Sequence, residues 1–209
     1  MSLSMALVER GLVPDPVLRM AIRRRCARKL REEREAGQSL DAFVEELKAS
    51  PVAVHTDAAN EQHYELPPEF FTRVLGENLK YSGALFEPGT KDLDGAERAM
   101  LELYVERARL EDGQSILELG CGWGSLTLHM ARRFPNARIV AVSNSRPQRE
   151  FIVGRAEREG IDNVEILTAD MNEFTIEDRF DRAVSIEMFE HMKNYEELLG
   201  RVAGFLVED

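Results

Sequence analysis

One run of residues constrains the fold more than any other. It reads Ser115-Ile116-Leu117-Glu118-Leu119-Gly120-Cys121-Gly122-Trp123-Gly124, followed by Leu126, Leu128, Met130 and Ala131. An apolar strand passes through three alternating glycines into a helical apolar pattern. A strand that turns this tightly into a helix opens a β-α-β unit, and such units build parallel sheets. The rest of the chain repeats the alternation. Strands are expected at Arg138–Val142, Val164–Leu167 and Asp181–Ile186. A helix opens at Pro147 and ends at Gly160, and another of roughly three turns runs from Tyr195 to Leu206. Residues 111–209 are therefore expected to form an α/β, Rossmann-like parallel sheet.

Residues 1–110 read as helices only, a helical extension capping that domain. Leu18, Ile22, Cys26 and Leu30 form an apolar stripe on a first helix ended by Gly37. Ser39 caps a second, with Leu40, Phe43, Val44 and Leu47 inward and Pro51 beyond its end. Pro67 and Pro68 open a third through Phe70, Phe71, Val74 and Leu75, closed by Gly76. A fourth carries Ala96, Met100, Leu103 and Tyr104. At the other end, Glu208-Asp209 reads as the turn before a further strand. Four strands leave strand four as an exposed edge. The expectation is a truncated sheet, or one whose edge a second copy of the chain covers.

Charge excludes some partners. The 209 residues carry −11, from 27 basic and 38 acidic side chains. Nucleic-acid binding needs Lys and Arg against phosphate, and no aromatic residues interleave the basic ones here. The basic side chains cluster instead. Residues 19–34 hold eight of them against Glu32 and Glu33, a net of +6. That segment reads first as a solvated helix face and second as a peripheral contact with anionic membrane. No run approaches the length of a membrane span, and no secretory signal is expected. Cys26 and Cys121 lie far apart without C-x-x-C spacing, and the four histidines show no ligand spacing. The expectation is a cytoplasmic protein without disulfide or metal.

The glycine turn points to a ligand. Small residues admit a close backbone approach, and the next helix N-terminus offers N–H groups to an anion. The dinucleotide fingerprint is G-x-G-x-x-G with an acidic residue ending strand two. Here position 125 is Ser, and strand two ends in Ser143-Asn144-Ser145. Both departures argue against a nicotinamide cofactor. They suit S-adenosylmethionine, which carries a carboxylate, an ammonium and a sulfonium. The turn glycines Gly120, Gly122 and Gly124 face the carboxylate, and Glu118 the ammonium. Gln148 and Asn144 are placed for the adenosine. Asp170, beside Met171, reads either as a partner of the adenine amino group or as a turn residue.

Four segments, taken in order, resemble one family. They are Ala59-Asn60-Glu61-Gln62-His63-Tyr64-Glu65-Leu66-Pro67, Leu79-Lys80-Tyr81-Ser82, the strand and glycine turn, and Glu187-Met188-Phe189-Glu190-His191-Met192-Lys193-Asn194-Tyr195. Together they resemble the cyclopropane fatty acid synthase-like class I methyltransferases, and within them the coclaurine N-methyltransferase-like branch. The resemblance implies a seven-stranded sheet of order 3-2-1-4-5-7-6, of which this chain supplies strands 1 to 4. It implies that Tyr81 and Ser82 cover the methionine end of the cofactor, where an aromatic face can meet a sulfonium. It also implies a catalytic trio of Glu187, Glu190 and His191, whose i, i+3, i+4 spacing shares one face if the segment is helical.

Two positions separate the branches. The cyclopropane synthases of this family place a cysteine after the Tyr-Ser pair, where this chain has Gly83, and a glycine where it has Glu187. A second carboxylate repels a bicarbonate base and attracts an ammonium. The expectation is N-methylation of a small-molecule amine. The alternative is cyclopropane-fatty-acyl-phospholipid synthase-type transfer to an unsaturated lipid chain, and a third reading is a cofactor-binding chain without turnover.

Overall fold

The computed structural model describes residues 3–37, 39–54 and 67–208. His55, His63 and the Ala59–Leu66 segment lie outside them. Two compact units are present, one up to Glu46 and one from Leu47 onward.

The first unit is helical. Its helices are α1 (Leu3–Glu9), α2 (Asp15–Ala36) and the start of α3 (Leu40–Ala49). Pro14 and Pro16 supply the fixed φ of a first helical turn, and Gly37 ends α2 at a left-handed φ of 60°. Ser39 Oγ accepts from Ala42 N at 3.2 Å, the expected cap of α3. The apolar stripe of α2 and the inward face expected of α3 are not buried. Ile22 and Leu30 on α2, and Leu40 and Phe43 on α3, are all exposed, and neither helix contains a buried residue. Basic residues occur all round α2, so no apolar stripe is wide enough to define an inside.

The second unit contains α4 (Pro68–Val74), α5 (Leu93–Ala108), β1 (Ser115–Leu119), α6 (Ser125–Arg133), β2 (Arg138–Ser143), α7 (Arg146–Glu159), β3 (Val164–Thr168), β4 (Arg182–Val184), a 3-10 turn (Phe189–His191) and α8 (Tyr195–Gly204). The strands form one parallel sheet of order β3-β2-β1-β4, the first four positions expected of the family. Alternation along the strands sorts the core. Leu117, Leu119, Val140 and Val142 face Phe174, Phe180, Leu198 and Phe205. Ile116, Ile139 and Val184 face α5 and α6 through Leu101, Val105, Leu126 and Met130. The strands are apolar on both faces because both are covered.

Two elements end two residues short of expectation. β4 spans only Arg182–Val184, so Ser185 and Ile186 already belong to the following loop. Ser185 Oγ instead donates to Leu119 O at 2.9 Å, fastening that loop over β1. α8 stops at Gly204, before Phe205 and Leu206. The residue two positions ahead of β4 is also paired. Leu206 bridges Phe180 in parallel, with Phe180 N donating to Phe205 O and Val207 N to Phe180 O. Strand pairing thus begins ahead of Glu208.

Candidate active site

β1 and β2 lie to one side of the β1–β4 boundary and β4 to the other, so the strand order reverses there. Ligands of parallel α/β sheets bind at the carboxyl ends of the strands beside such a reversal. A cavity of about 340 Å³ lies at this place. Loops after β1, β2, β3 and β4 wall it, and the stretches Ala53–Val54 and Leu79–Ser82 contribute from the residues before the sheet.

The turn after β1 forms the floor. Gly120 N and Cys121 N both donate to Val142 O, at 2.9 and 3.0 Å, which ties the turn to β2. Gly120, Gly122 and Gly124 all have positive φ. Their surroundings differ. A Cβ at Gly124 would lie 2.7 Å from Ile152, so that glycine serves helix packing. A Cβ at Gly122 would meet nothing within 4 Å, and this residue lines the cavity. Gly122 is where the backbone is open to a ligand.

Glu118 lies beneath the turn, 2% exposed. Thr127 Oγ1 on α6 donates to its Oε2 at 2.5 Å. Burial pushes its carboxyl up to about 7, and the threonine bond opposes this only in part. A carboxylate so placed gains from a cation arriving in the cavity. Burial also holds the Cys121 thiol well above its ordinary range, with the nearby Glu118 charge adding to the effect. Cys121 is thus an inert packing residue, as its place in the turn implies.

Gln148, at the start of α7, is 2% exposed. Ser143 Oγ donates to its Oε1 at 2.7 Å, and Ser145 N donates to that same Ser143 Oγ. Its Nε2 has no partner among the described residues, nor have Trp123 Nε1 and Ser125 Oγ. All three residues line the cavity. Buried polar atoms are nearly always satisfied, so these mark where a polar ligand belongs.

Of the expected site residues, Tyr81, Ser82, Glu118, Gly120, Gly122, Asn144, Gln148, Met171, Glu187, Glu190 and His191 all line this one cavity. Gly124 and Asp170 do not. The Asp170 carboxylate accepts from Asn172 N at 2.7 Å and shapes the turn after β3. The trio Glu187, Glu190 and His191 does not share a helical face. Glu190 and His191 lie in the 3-10 turn, whereas Glu187 precedes it with φ of 55°. A left-handed conformation is uncommon outside glycine and costs roughly 1 kcal/mol or more. It is held here at the mouth of the cavity.

Several residues of the site carried no separate expectation. Trp123 is 3% exposed and packs between Phe71 at 4.7 Å and Phe151 at 5.3 Å. Phe71 in turn meets Tyr81 edge-on at 5.7 Å. A tryptophan within a turn otherwise made of small residues was the available signal. Glu97 on α5 is fully buried and accepts from Gly76 N, Asn78 N and Lys80 N at 2.9, 2.9 and 3.2 Å. It locks the loop that delivers Tyr81. Two asparagines clamp the opposite wall. Asn172 exchanges two bonds with Ala53, and Asn194 Nδ2 donates to Lys48 O and Ser50 O.

Residues 53–209 match the mycolic acid cyclopropane synthetase family. An (S)-coclaurine N-methyltransferase of Thalictrum flavum subsp. glaucum is 39% identical over 97% of the chain and 57% of its own length. A crystal structure of coclaurine N-methyltransferase bound to N-methylheliamine and SAH superimposes with a TM-score of 0.86 at 40% identity, over 98% of this chain and 60% of that one. A cyclopropane-fatty-acyl-phospholipid synthase of Escherichia coli K12 is 36% identical over 65% of the chain and 34% of its own length. The chain thus spans under two thirds of the length of these relatives. Sheet order, glycine turn and matched residues agree: the chain belongs to the mycolic acid cyclopropane synthetase family of class I methyltransferases.

Proposed function

We propose that this chain carries the cofactor site and the acceptor-binding carboxylates of an S-adenosylmethionine-dependent methyltransferase that methylates the nitrogen of a small-molecule amine. The observation that carries the reading is Glu187, a carboxylate at the cavity mouth in a backbone conformation that glycine would adopt more easily. Such strain is characteristic of functional positions. The coclaurine N-methyltransferase relatives support the amine, and the solved complex with SAH supports the cofactor.

The residues fit that cofactor. Gln148 Nε2 and Trp123 Nε1 are buried donors awaiting acceptors, and an adenosine and an amino-acid group offer several. Glu118 is a buried acid suited to an ammonium. Asn144 and Met171 border the adenosine end, and Tyr81 and Ser82 the methionine end. When bound, S-adenosylmethionine supplies an electrophilic methyl on a sulfonium. The chain's own residues do the rest. Glu187 and Glu190 attract the acceptor as an ammonium ion. Glu187, Glu190 or His191 takes its proton, which frees the lone pair for in-line attack. Tyr81 shields the reacting centre. Residues 111–209 serve as the cofactor domain, preceded in the chain by the extension of residues 1–110.

The partners follow the same reading. A small amine is the acceptor, and the basic segment 19–34 is a peripheral membrane contact of a cytoplasmic protein. Among the described residues no helix is long and apolar enough to cross a membrane. The test is titration with S-adenosylhomocysteine, then methyl transfer to a panel of secondary and tertiary amines against unsaturated phospholipid vesicles. Saturable binding with turnover on amines supports the proposal. Turnover on vesicles alone replaces it with the cyclopropane synthase reading.

A further inference from the structure

The loops after β3 and β4 both wall the cavity, and one side chain joins them. Met171 lines the cavity in the first loop, and Met192 lines it in the second, directly after His191. Between the two runs a strap, residues 52–54. On one side the strap pairs with the loop after β4. Ala53 bridges Met192 in antiparallel fashion, and Lys193 N donates to Val52 O at 2.8 Å. Ala53 is therefore a non-hydrogen-bonded position of that pair, and its own N–H and C=O point to the other side. There they meet the Asn172 side chain. Ala53 N donates to Asn172 Oδ1 at 2.9 Å, and Asn172 Nδ2 donates to Ala53 O at 3.1 Å. One amide, with its acceptor and its donor, takes the place of a neighbouring strand. Val52 and Ala53 are buried, so their backbone groups depend on these partners.

Asn172 is itself held. Its N donates to Asp170 Oδ1 at 2.7 Å, and Arg201 Nη1 on α8 donates to Met171 O and Asn172 O at 3.0 and 2.9 Å. We infer that Asn172 is a positioning residue that couples the loop after β3, through residues 52–54, to the turn carrying Glu190 and His191, so that filling the cofactor site also orders the acceptor side of the cavity. The inference rests on the proposed function, which sets Met171 against the adenosine and Glu190 and His191 against the acceptor. A bound adenosine packs on Met171 and narrows the motion of its loop. Asn172 does not line the cavity, so it acts through Ala53. Restricting the loop restricts the strap, and the strap restricts Lys193, two residues beyond His191. Ordering of this kind couples two sites without a change of shape, and amide exchange reads it directly.

Amide hydrogen exchange of the chain, followed by NMR with and without saturating S-adenosylhomocysteine, tests the coupling. The Lys193 amide is the reporter, because its acceptor is Val52 O on the strap. In the wild-type chain the ligand is expected to slow its exchange by about 10-fold. In Asn172→Ala the slowing falls below about 2-fold, although titration shows the ligand bound within about 3-fold of wild type. Asn172→Asp keeps the acceptor for Ala53 N and lacks the donor to Ala53 O. It gives a partial slowing, and it stands in where the alanine variant fails to fold. Asn163→Ala separates coupling from general loss of stability. Asn163 Nδ2 donates to Phe134 O and Ala137 O away from the cavity, so this variant is less stable but keeps the full response at Lys193. Equal slowing in wild type and the Asn172 variants, loss of slowing in Asn163→Ala as well, or a wild-type chain that binds the ligand with no slowing at Lys193 overturns the inference and leaves the cofactor reading standing. A folded wild-type chain that binds no S-adenosylhomocysteine overturns both.

Discussion

At the scale of single residues, two carboxylates of the cavity sit in opposite environments. Glu118 is buried and Glu187 exposed. For Glu118 the folded carboxyl ionises at about 7, against an ordinary value of 4.5. Between those values the folded chain keeps a proton that the unfolded chain has released. Stability therefore falls as pH rises from about 4.5 to about 7, by on the order of 3 kcal/mol, and is flat beyond. Glu118→Gln removes this slope, which urea unfolding at pH 4.5 to 8 will show as the difference between variant and wild type. The same substitution weakens binding of S-adenosylhomocysteine by roughly 10-fold or more, because the ammonium loses its anion.

Glu187 is predicted to behave in the opposite sense. Its φ of 55° strains any side chain with a Cβ. Glu187→Gly relieves that strain and stabilises the fold by roughly 1 kcal/mol. On the proposed function it also removes the carboxylate that attracts the ammonium, and amine methylation falls by about 100-fold. A thermal melt and a methyl-transfer assay on the same variant check both halves. A variant that is less stable yet fully active sinks the assignment.

At the scale of elements, Glu97 on α5 holds the segment from α4 to α5 together. Glu97 gathers three backbone N–H groups of the loop between these helices. Glu97→Ala leaves them buried and unpaired, at a cost of roughly 3 kcal/mol. The aromatic series Tyr81, Phe71, Trp123 and Phe151 joins that loop to the glycine turn and to α7. Phe71 is 1% exposed at its centre. Phe71→Ala is expected to destabilise the second unit by about 3 to 5 kcal/mol, measured by urea unfolding. It also quenches or shifts the emission of Trp123, the chain's single tryptophan, when S-adenosylhomocysteine is added. Unchanged stability of Phe71→Ala means the aromatic series is not part of the core.

For the whole molecule, burial is unevenly distributed. The central strands β1 and β2 are buried almost throughout, whereas α2 has 22 residues and none buried. A helix of this length without tertiary burial is held by its own hydrogen bonds and by solvent-screened pairs such as Arg28–Glu32 and Lys29–Glu33, which add little. Hydrogen exchange is predicted to separate the two. Amides of residues 18–34 exchange close to the rate of an isolated helical peptide, while those of β1 and β2 exchange only through global unfolding. Protection of α2 equal to that of the sheet contradicts this. Anionic vesicles tested on the same sample show whether a lipid surface protects the basic helix, as the +6 of residues 19–34 leads one to expect.

The sequence by itself determined the parallel α/β sheet, its strand positions and the ligand-binding turn, because these rest on local patterns. Short apolar runs, alternating glycines and proline or glycine punctuation act within a few residues of one another. Eleven of the thirteen site residues it named line the one cavity, since the loops that follow parallel strands collect at one end of the sheet by topology. Tertiary structure alone decided the rest. That Ser185 and Ile186 leave β4, and that Glu187 adopts a left-handed backbone, depend on packing between segments distant in sequence. So does the meeting of Asn172 with Ala53, and of Glu97 with the loop it locks. The apolar positions of α2 and α3 make the same point in reverse. A periodic pattern states which face could be buried, and only a partner surface within reach makes it so.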